Sequence, residues 1–219
     1  MLFMTPTTAL FASAACGYLC GSLPFGYWAG RLRGIDIRQH GSGNIGATNV
    51  VRVLGKPIGI PVFLLDMMKG WLPVFLAASW MKAAGANIEL ISTAKVVGGF
   101  SAVLGHMYTF WLSFKGGKGI ATLFGMILAI QPAVAGCLVF VFFGMLFLTQ
   151  YVSLSSITAS IAFPVLIFFI FREPDIMYRI FAVATAFLVV ITHHKNINRL
   201  LAGNESKVPL FGKKRNEST

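Results

Sequence analysis

The chain reads as an all-α, polytopic integral membrane protein with seven transmembrane helices, N-terminus outside and C-terminus inside. Of its 219 residues 56% are hydrophobic and 11% charged, and the mean hydropathy is +0.76, far above that of a soluble domain of this length. Seven apolar stretches approach the roughly 20 residues that a helix needs to cross a hydrocarbon core of about 30 Å. Lys and Arg are divided unequally between the loops on the two sides of those stretches, as the positive-inside rule requires.

The first stretch, 7–30, has no Lys or Arg before it. It therefore lacks the basic region of a secretory signal and is expected to be retained as a helix. Stretches 57–80 and 90–112 follow. The next, 119–130, is too short to cross comfortably alone, and Gln131-Pro132 separates it from 132–150 because proline stops a helix or begins the next. A single kinked helix over 119–150 is the competing expectation. Stretches 153–171 and 177–193 complete the set.

With the N-terminus outside, segments 31–56, 113–118 and 194–219 hold thirteen Lys and Arg, whereas the outer loops hold three, Lys82, Arg172 and Arg179. The net charge of +11 thus serves orientation as readily as ligand binding, and no nucleic-acid partner is implied. No internal repeat or second soluble segment is visible, so one transmembrane domain over 1–208 and a basic cytoplasmic tail over 209–219 are expected. Cys16, Cys20 and Cys137 lie in apolar stretches without metal-site spacing and are expected to be buried packing residues.

Three polar segments interrupt the apolar chain. Residues 34–55, GIDIRQHGSGNIGATNVVRVLG, set Gly41, Gly43 and Gly46 among hydrogen-bonding residues. The glycines permit positive φ and close backbone approach, Ser42, Asn44, Thr48 and Asn49 add donors for an anion, and Arg52 offers a bidentate phosphate contact. A helix is expected to begin near Ala47. In residues 105–125, FKGGKG runs straight into the fourth helix, so unpaired N–H groups around Gly116, Gly117 and Gly119 face an oxyanion at a helix start. Lys118 supplies the charge and Thr122 a further donor. This is not a Walker A loop, because GxxxxGK(S/T) is absent. In residues 192–207, THHKNINRLLAGNESK, His193 and Asn196 share a helical face that can look back into the site. Asp66 and Lys69, sharing a face inside the second helix, are expected to pair. Ser153, at the start of the sixth helix, is a cap or a ligand contact.

The inventory limits the chemistry. Asp66 is the one acid inside a span, and Asp36 and Glu205 are the acids in or beside the polar segments. Catalytic Mg²⁺, which takes carboxylate oxygens, is not expected, nor is any cofactor. There is no GxSxG elbow, and no histidine is followed five residues later by aspartate. What is left is a metal-free cluster of cations and N–H donors suited to substrates that bring their own phosphates. An anion transporter with a broken helix at 119–131 and a scaffold binding anionic headgroups through 207–215 are the alternatives from other classes. The gathering of the polar segments on one membrane face argues against the first, and the Gly-rich segments against the second.

The blocks GSLPFGYWAGR, GIDIRQHGSGNIGATNVVRVLG, LLDMMKG, LGHMYTFWLSFKGGKGIAT, YVSL and HHKNINRLLAGNESK, in this order, closely resemble the bacterial acyl-phosphate-dependent glycerol-3-phosphate acyltransferases, the PlsY type. The likeness covers 17–208. It implies a seven-helix inner-membrane enzyme, facing the cytoplasm, that moves a fatty acyl group from acyl phosphate to the 1-hydroxyl of glycerol 3-phosphate, giving lysophosphatidate and phosphate. By position, the resemblance assigns active roles to Ser42, Arg52, Lys118, Ser153, His193 and Asn196. The family commonly reads Arg-His-Arg-Glu-Asn where this chain has Thr192-His193-His194-Lys195-Asn196. The spacing of His193 and Asn196 is kept while two arginines and a glutamate are replaced.

Overall fold

In the computed structural model, which describes residues 4–208, the first helix starts where Thr5 and Thr8 cap each other in a reciprocal box. This helix, α1 (Pro6–Gly21), was expected to continue to residue 30. It instead breaks over 22–24 and resumes as α2 (Phe25–Arg31), the two forming one 26-residue span. Pro24 at the restart cannot continue the ladder, and the Leu23 carbonyl beside it accepts a hydrogen bond from Lys69 Nζ at 2.9 Å. A buried lysine thus satisfies a main-chain group that lipid would leave bare.

A loop with one 3₁₀ turn at Ile37–Gln39 leads to α3 (Ala47–Leu54), an eight-residue helix that buries Asn49 and Val50. Ile37, Ile45, Val50, Val62 and Leu112 form a small core beneath this segment. Next comes α4 (Lys56–Ala83), 28 residues and therefore about 42 Å long. The expected intrahelical pair is present, with Lys69 Nζ 2.8 Å from Asp66 Oδ1 and both side chains buried. Then follows α5 (Ile88–Met107), with a 3₁₀ turn at Phe110–Leu112.

Small residues set the close helix contacts, because apolar area gives helices little reason to associate in lipid. A Cβ on Gly17 would run into the Gly98 carbonyl, and one on Gly21 into that of Ala102, which brings α1 against α5. Replacing Gly17 with leucine is expected to push these helices apart at a cost of about 1–3 kcal/mol or more. A lowered Tm and loss of the monodisperse peak in detergent would register it.

The chain then forms α6 (Ile120–Ile130) and α7 (Pro132–Thr149), two helices separated at Gln131, as the proline indicated. With eleven residues, α6 rises only about 16 Å and does not cross alone. Its end is closed by protein: Gln131 Nε2 donates to a Glu173 carboxylate oxygen in the loop that precedes Ile176. After α8 (Val152–Val165), a single π turn at Leu166–Ile170 follows Pro164. Last come α9 (Ile176–Thr192) and α10 (His194–Leu201), bent 60° from it at His193.

Among the described residues five helical segments are long and apolar enough to cross a membrane, and α9 with α10 is the sixth when taken together. The seventh expected crossing is the half-length α6. The main core joins α5 to α9, with Val103, Met126, Val134, Ile167 and Val189 at most 1% exposed. Phe140, Leu148, Phe169 and Ile191 stand more than half exposed, as lipid-facing positions do. The three cysteines are half-buried rather than buried: in helices apolar on every side, an apolar position need not face the core. The tail expected over 209–219 lies outside the described residues.

Candidate active site

The Gly-rich loop before α3 is held by one residue. Asn49, 2% exposed, donates through Nδ2 to the carbonyls of His40 (3.0 Å) and Asn44 (2.9 Å), while its Oδ1 accepts from the Ser42 N–H at 2.8 Å. Its amide is consumed in shaping the loop. Asn49 is therefore a scaffold of the segment, not the anion donor expected from its residue type. Asn44 Oδ1 likewise accepts from the Gly46 N–H at 2.7 Å and turns the chain into α3. Gly41 and Gly43 adopt positive φ, 61° and 70°, as anticipated. Gly46 does not: at φ −72° it is the extended N-cap residue of α3. What this construction presents outward is Ser42, Gly43 and Thr48, all exposed, and Arg52, also exposed, whose side chain makes no ion pair or hydrogen bond among the described residues.

The second segment is anchored to the end of α5. The Gly116 N–H donates to the Met107 carbonyl at 2.9 Å and the Gly117 N–H to that of His106 at 3.0 Å. Those two N–H groups hold the turn in place and are not free for a ligand, which corrects the expectation that the N–H groups of Gly116 and Gly117 face an oxyanion. The open donors lie further on. Gly119, at φ 80°, caps α6 with no side-chain hydrogen bond, so the first turn of that helix keeps its unpaired N–H groups. Thr122 is fully buried, and its hydroxyl has no partner among the described residues.

Lys118 joins the second segment to the third. Its Nζ donates to Asn196 Oδ1 at 2.5 Å, and Asn196 Nδ2 donates to Glu205 Oε1 at 2.7 Å. Glu205 Oε1 also accepts from Ser153 Oγ at 2.7 Å, and Oε2 from Arg199 Nε at 2.7 Å. Both ends of the Asn196 amide are engaged, so it aims Lys118, and Ser153 is tied to Glu205. Glu205 is the group at the centre of this cluster that residue-by-residue reading did not single out. Its signal was a lone acid between Arg199 and Lys207 in a segment otherwise of cations and amides. Burial would raise its pKa, but hydrogen bonds from Arg199, Asn196 and Ser153 outweigh this and keep the carboxyl below its ordinary value.

Burial pushes the Lys118 ammonium down to about 8, Glu205 opposing the shift and the charges of Arg199 and Arg52 adding to it. Arg52 of the first segment therefore stands within electrostatic reach of Lys118. His193, 2% exposed, sits at the bend between α9 and α10, with Nδ1 2.8 Å from the Val189 carbonyl. A carbonyl accepts only, so in the neutral ring the proton is on Nδ1 and Nε2 keeps its lone pair. His194 is exposed beside it. Arg52, Lys118, Ser153, His193 and Asn196 are thus gathered in one region. Ser42 and Gly43 on the neighbouring loop, and Thr48 in the first turn of α3, make no hydrogen bond to that group among the described residues.

Residues 11–203 match the family model described as glycerol-3-phosphate acyltransferase. The glycerol-3-phosphate acyltransferase of Trichlorobacter lovleyi is 45% identical over 202 residues, covering 92% of this chain and 98% of its own. That of Aquifex aeolicus is 40% identical over 190 residues, covering 87% and 94%. Among solved structures, PlsY (YgiH), described as an integral membrane glycerol 3-phosphate acyltransferase, superimposes in its glycerol 3-phosphate form with a TM-score of 0.81 at 40% identity, covering 94% of this chain and 96% of that one. Its lysophosphatidic acid form superimposes with a TM-score of 0.79.

Proposed function

Because the chain belongs to the glycerol-3-phosphate acyltransferase family, we propose that its cation cluster transfers a fatty acyl group from acyl phosphate to the 1-hydroxyl of glycerol 3-phosphate. The products are lysophosphatidate and inorganic phosphate. The observation that carries this reading is an uncommitted Arg52 within electrostatic reach of a half-buried Lys118 that Asn196 and Glu205 hold in place. Two cations with different tethers suit two phosphates, one entering on each substrate. A solved relative described in both glycerol 3-phosphate and lysophosphatidic acid forms is consistent with an acceptor and a product of that kind.

Acyl phosphate is a mixed anhydride whose leaving group departs readily. The C1 hydroxyl oxygen attacks the acyl carbonyl carbon, the bond from that carbon to the phosphate oxygen breaks, and phosphate leaves with the electron pair. The hydroxyl proton passes to His193 Nε2 or to the departing phosphate. Arg52 and Lys118 hold the phosphates, and the uncapped start of α6 adds N–H donors for developing negative charge. No covalent acyl-enzyme is required. Ser42 and Ser153 are positioning contacts in this scheme, and Thr48, Gly43 and Gly119 border the acceptor phosphate.

The site belongs on the cytoplasmic side of a bacterial inner membrane, supported by thirteen Lys and Arg in the segments on its side against three opposite. The direct assay gives purified protein glycerol 3-phosphate with acyl phosphate or with acyl-CoA. Acylated product is expected from acyl phosphate alone. Product from acyl-CoA at equal rate would overturn the donor assignment.

The lowered Lys118 pKa gives a pH dependence. Below about 8 the ammonium is charged and binds phosphate; as pH rises through that value the free enzyme loses it, so kcat/KM is expected to fall. Bound phosphate favours the charged form, so the matching limb in kcat lies at higher pH. A kcat/KM profile flat to pH 10 would contradict this role.

A further inference from the structure

Beneath the Gly116–Gly119 turn lies a polar cluster that the transfer chemistry leaves unused. His106 is 5% exposed, Asp66 1% and Lys69 4%. His106 Nδ1 stands 3.7 Å from Asp66 Oδ1, the oxygen that Lys69 Nζ approaches at 2.8 Å. Lys69 is fixed in turn by the Leu23 carbonyl at 2.9 Å and by the Phe25 ring, whose centroid is 5.5 Å away. Ionisable groups at such depth are costly in a membrane protein, and an apolar side chain would fill the same space more cheaply.

The other edge of the imidazole meets the turn itself. A Cβ on Gly117 would run into His106 Nε2, and one on Gly116 into the His106 carbonyl oxygen. The Gly117 N–H already donates to that carbonyl at 3.0 Å. His106 therefore touches the turn through both main chain and ring, one residue before Lys118. We propose that His106 is a positioning residue for the transfer: packed between the Asp66–Lys69 pair and Gly117, it sets the height of the Gly116–Gly119 turn and hence the reach of Lys118 toward phosphate. This rests on the reading of the Lys118 turn as a phosphate site.

The geometry makes a compensation test available. Gly117→Ala puts a methyl group where the ring stands, whereas His106→Ala empties that space. Purified single and double variants would be compared with wild type for KM of each substrate, kcat, Tm and size-exclusion profile. His106→Ala is expected to raise KM for a phosphate substrate about tenfold, and Gly117→Ala to lower kcat/KM about 10²-fold, the loss a displacement of about 1 Å brings. The double variant is expected to recover at least fivefold over Gly117→Ala alone, because its methyl group occupies the vacated space. His106→Asn, which keeps a buried polar group of smaller size, should fall between wild type and His106→Ala in KM without a matching change in Tm.

A double variant no better than Gly117→Ala overturns the proposal. So does a folded His106→Ala protein with unchanged KM, or KM changes that merely follow Tm. Wild-type protein inactive on acyl phosphate and glycerol 3-phosphate would overturn the proposed function instead, which separates the two failures.

Discussion

Replacing His193 with alanine is expected to lower kcat by about 10²-fold or more, the contribution of a well-placed general base. The ring is set for that role by its surroundings. Nδ1 is committed to the Val189 carbonyl 2.8 Å away, which fixes the neutral tautomer with the Nε2 lone pair unused. It stands at the 60° bend between α9 and α10, within electrostatic reach of Lys118. The measurement is steady-state turnover of purified variant with a size-exclusion profile matching wild type. Near-normal turnover would move the base to the departing phosphate while leaving the phosphate-binding groups in place.

Lys118→Met is expected to cost about 10²–10³-fold in kcat/KM, comparable with the loss of one oxyanion donor in a preorganised site. Methionine keeps the length and the apolar stem, so the loss reports the charge and its donors. The variant also leaves Asn196 Oδ1 without its partner. Asn196→Ala, by contrast, leaves the ammonium present but unaimed and is expected to cost about tenfold, an intermediate loss that tests its placement as a link between Glu205 and Lys118. If Asn196→Ala proved as damaging as Lys118→Met in folded protein, direct contact of Asn196 with substrate would replace that assignment.

Much of the architecture was legible in residue order. Apolar stretches of membrane-spanning length and the Gln131-Pro132 break are local properties, and the helices follow them closely. The turn carrying Lys118 was legible because a glycine-rich run straight before an apolar stretch marks a helix start. The break over 22–24 was not, since Ser22, Leu23 and Pro24 alone do not reveal a lysine forty-six positions later that satisfies the Leu23 carbonyl. Asn49 was read as a donor because its type fits that role; only the fold shows three loop carbonyls converging on its amide. Glu205 and His106 were hidden for the same reason. Their significance lies in partners contributed by distant helices, Ser153 for one and Gly117 for the other.

The most direct test of transfer by positioning and charge is a single-turnover experiment. Purified protein is mixed with stoichiometric acyl phosphate, quenched rapidly with and without glycerol 3-phosphate, and followed by intact mass and product analysis. Without acceptor the protein mass should stay unchanged, and with acceptor lysophosphatidate and phosphate should appear together, one for one. An acylated protein that forms in the first turnover, on Ser42, Ser153 or elsewhere, and delivers its acyl group when glycerol 3-phosphate is added would contradict the account.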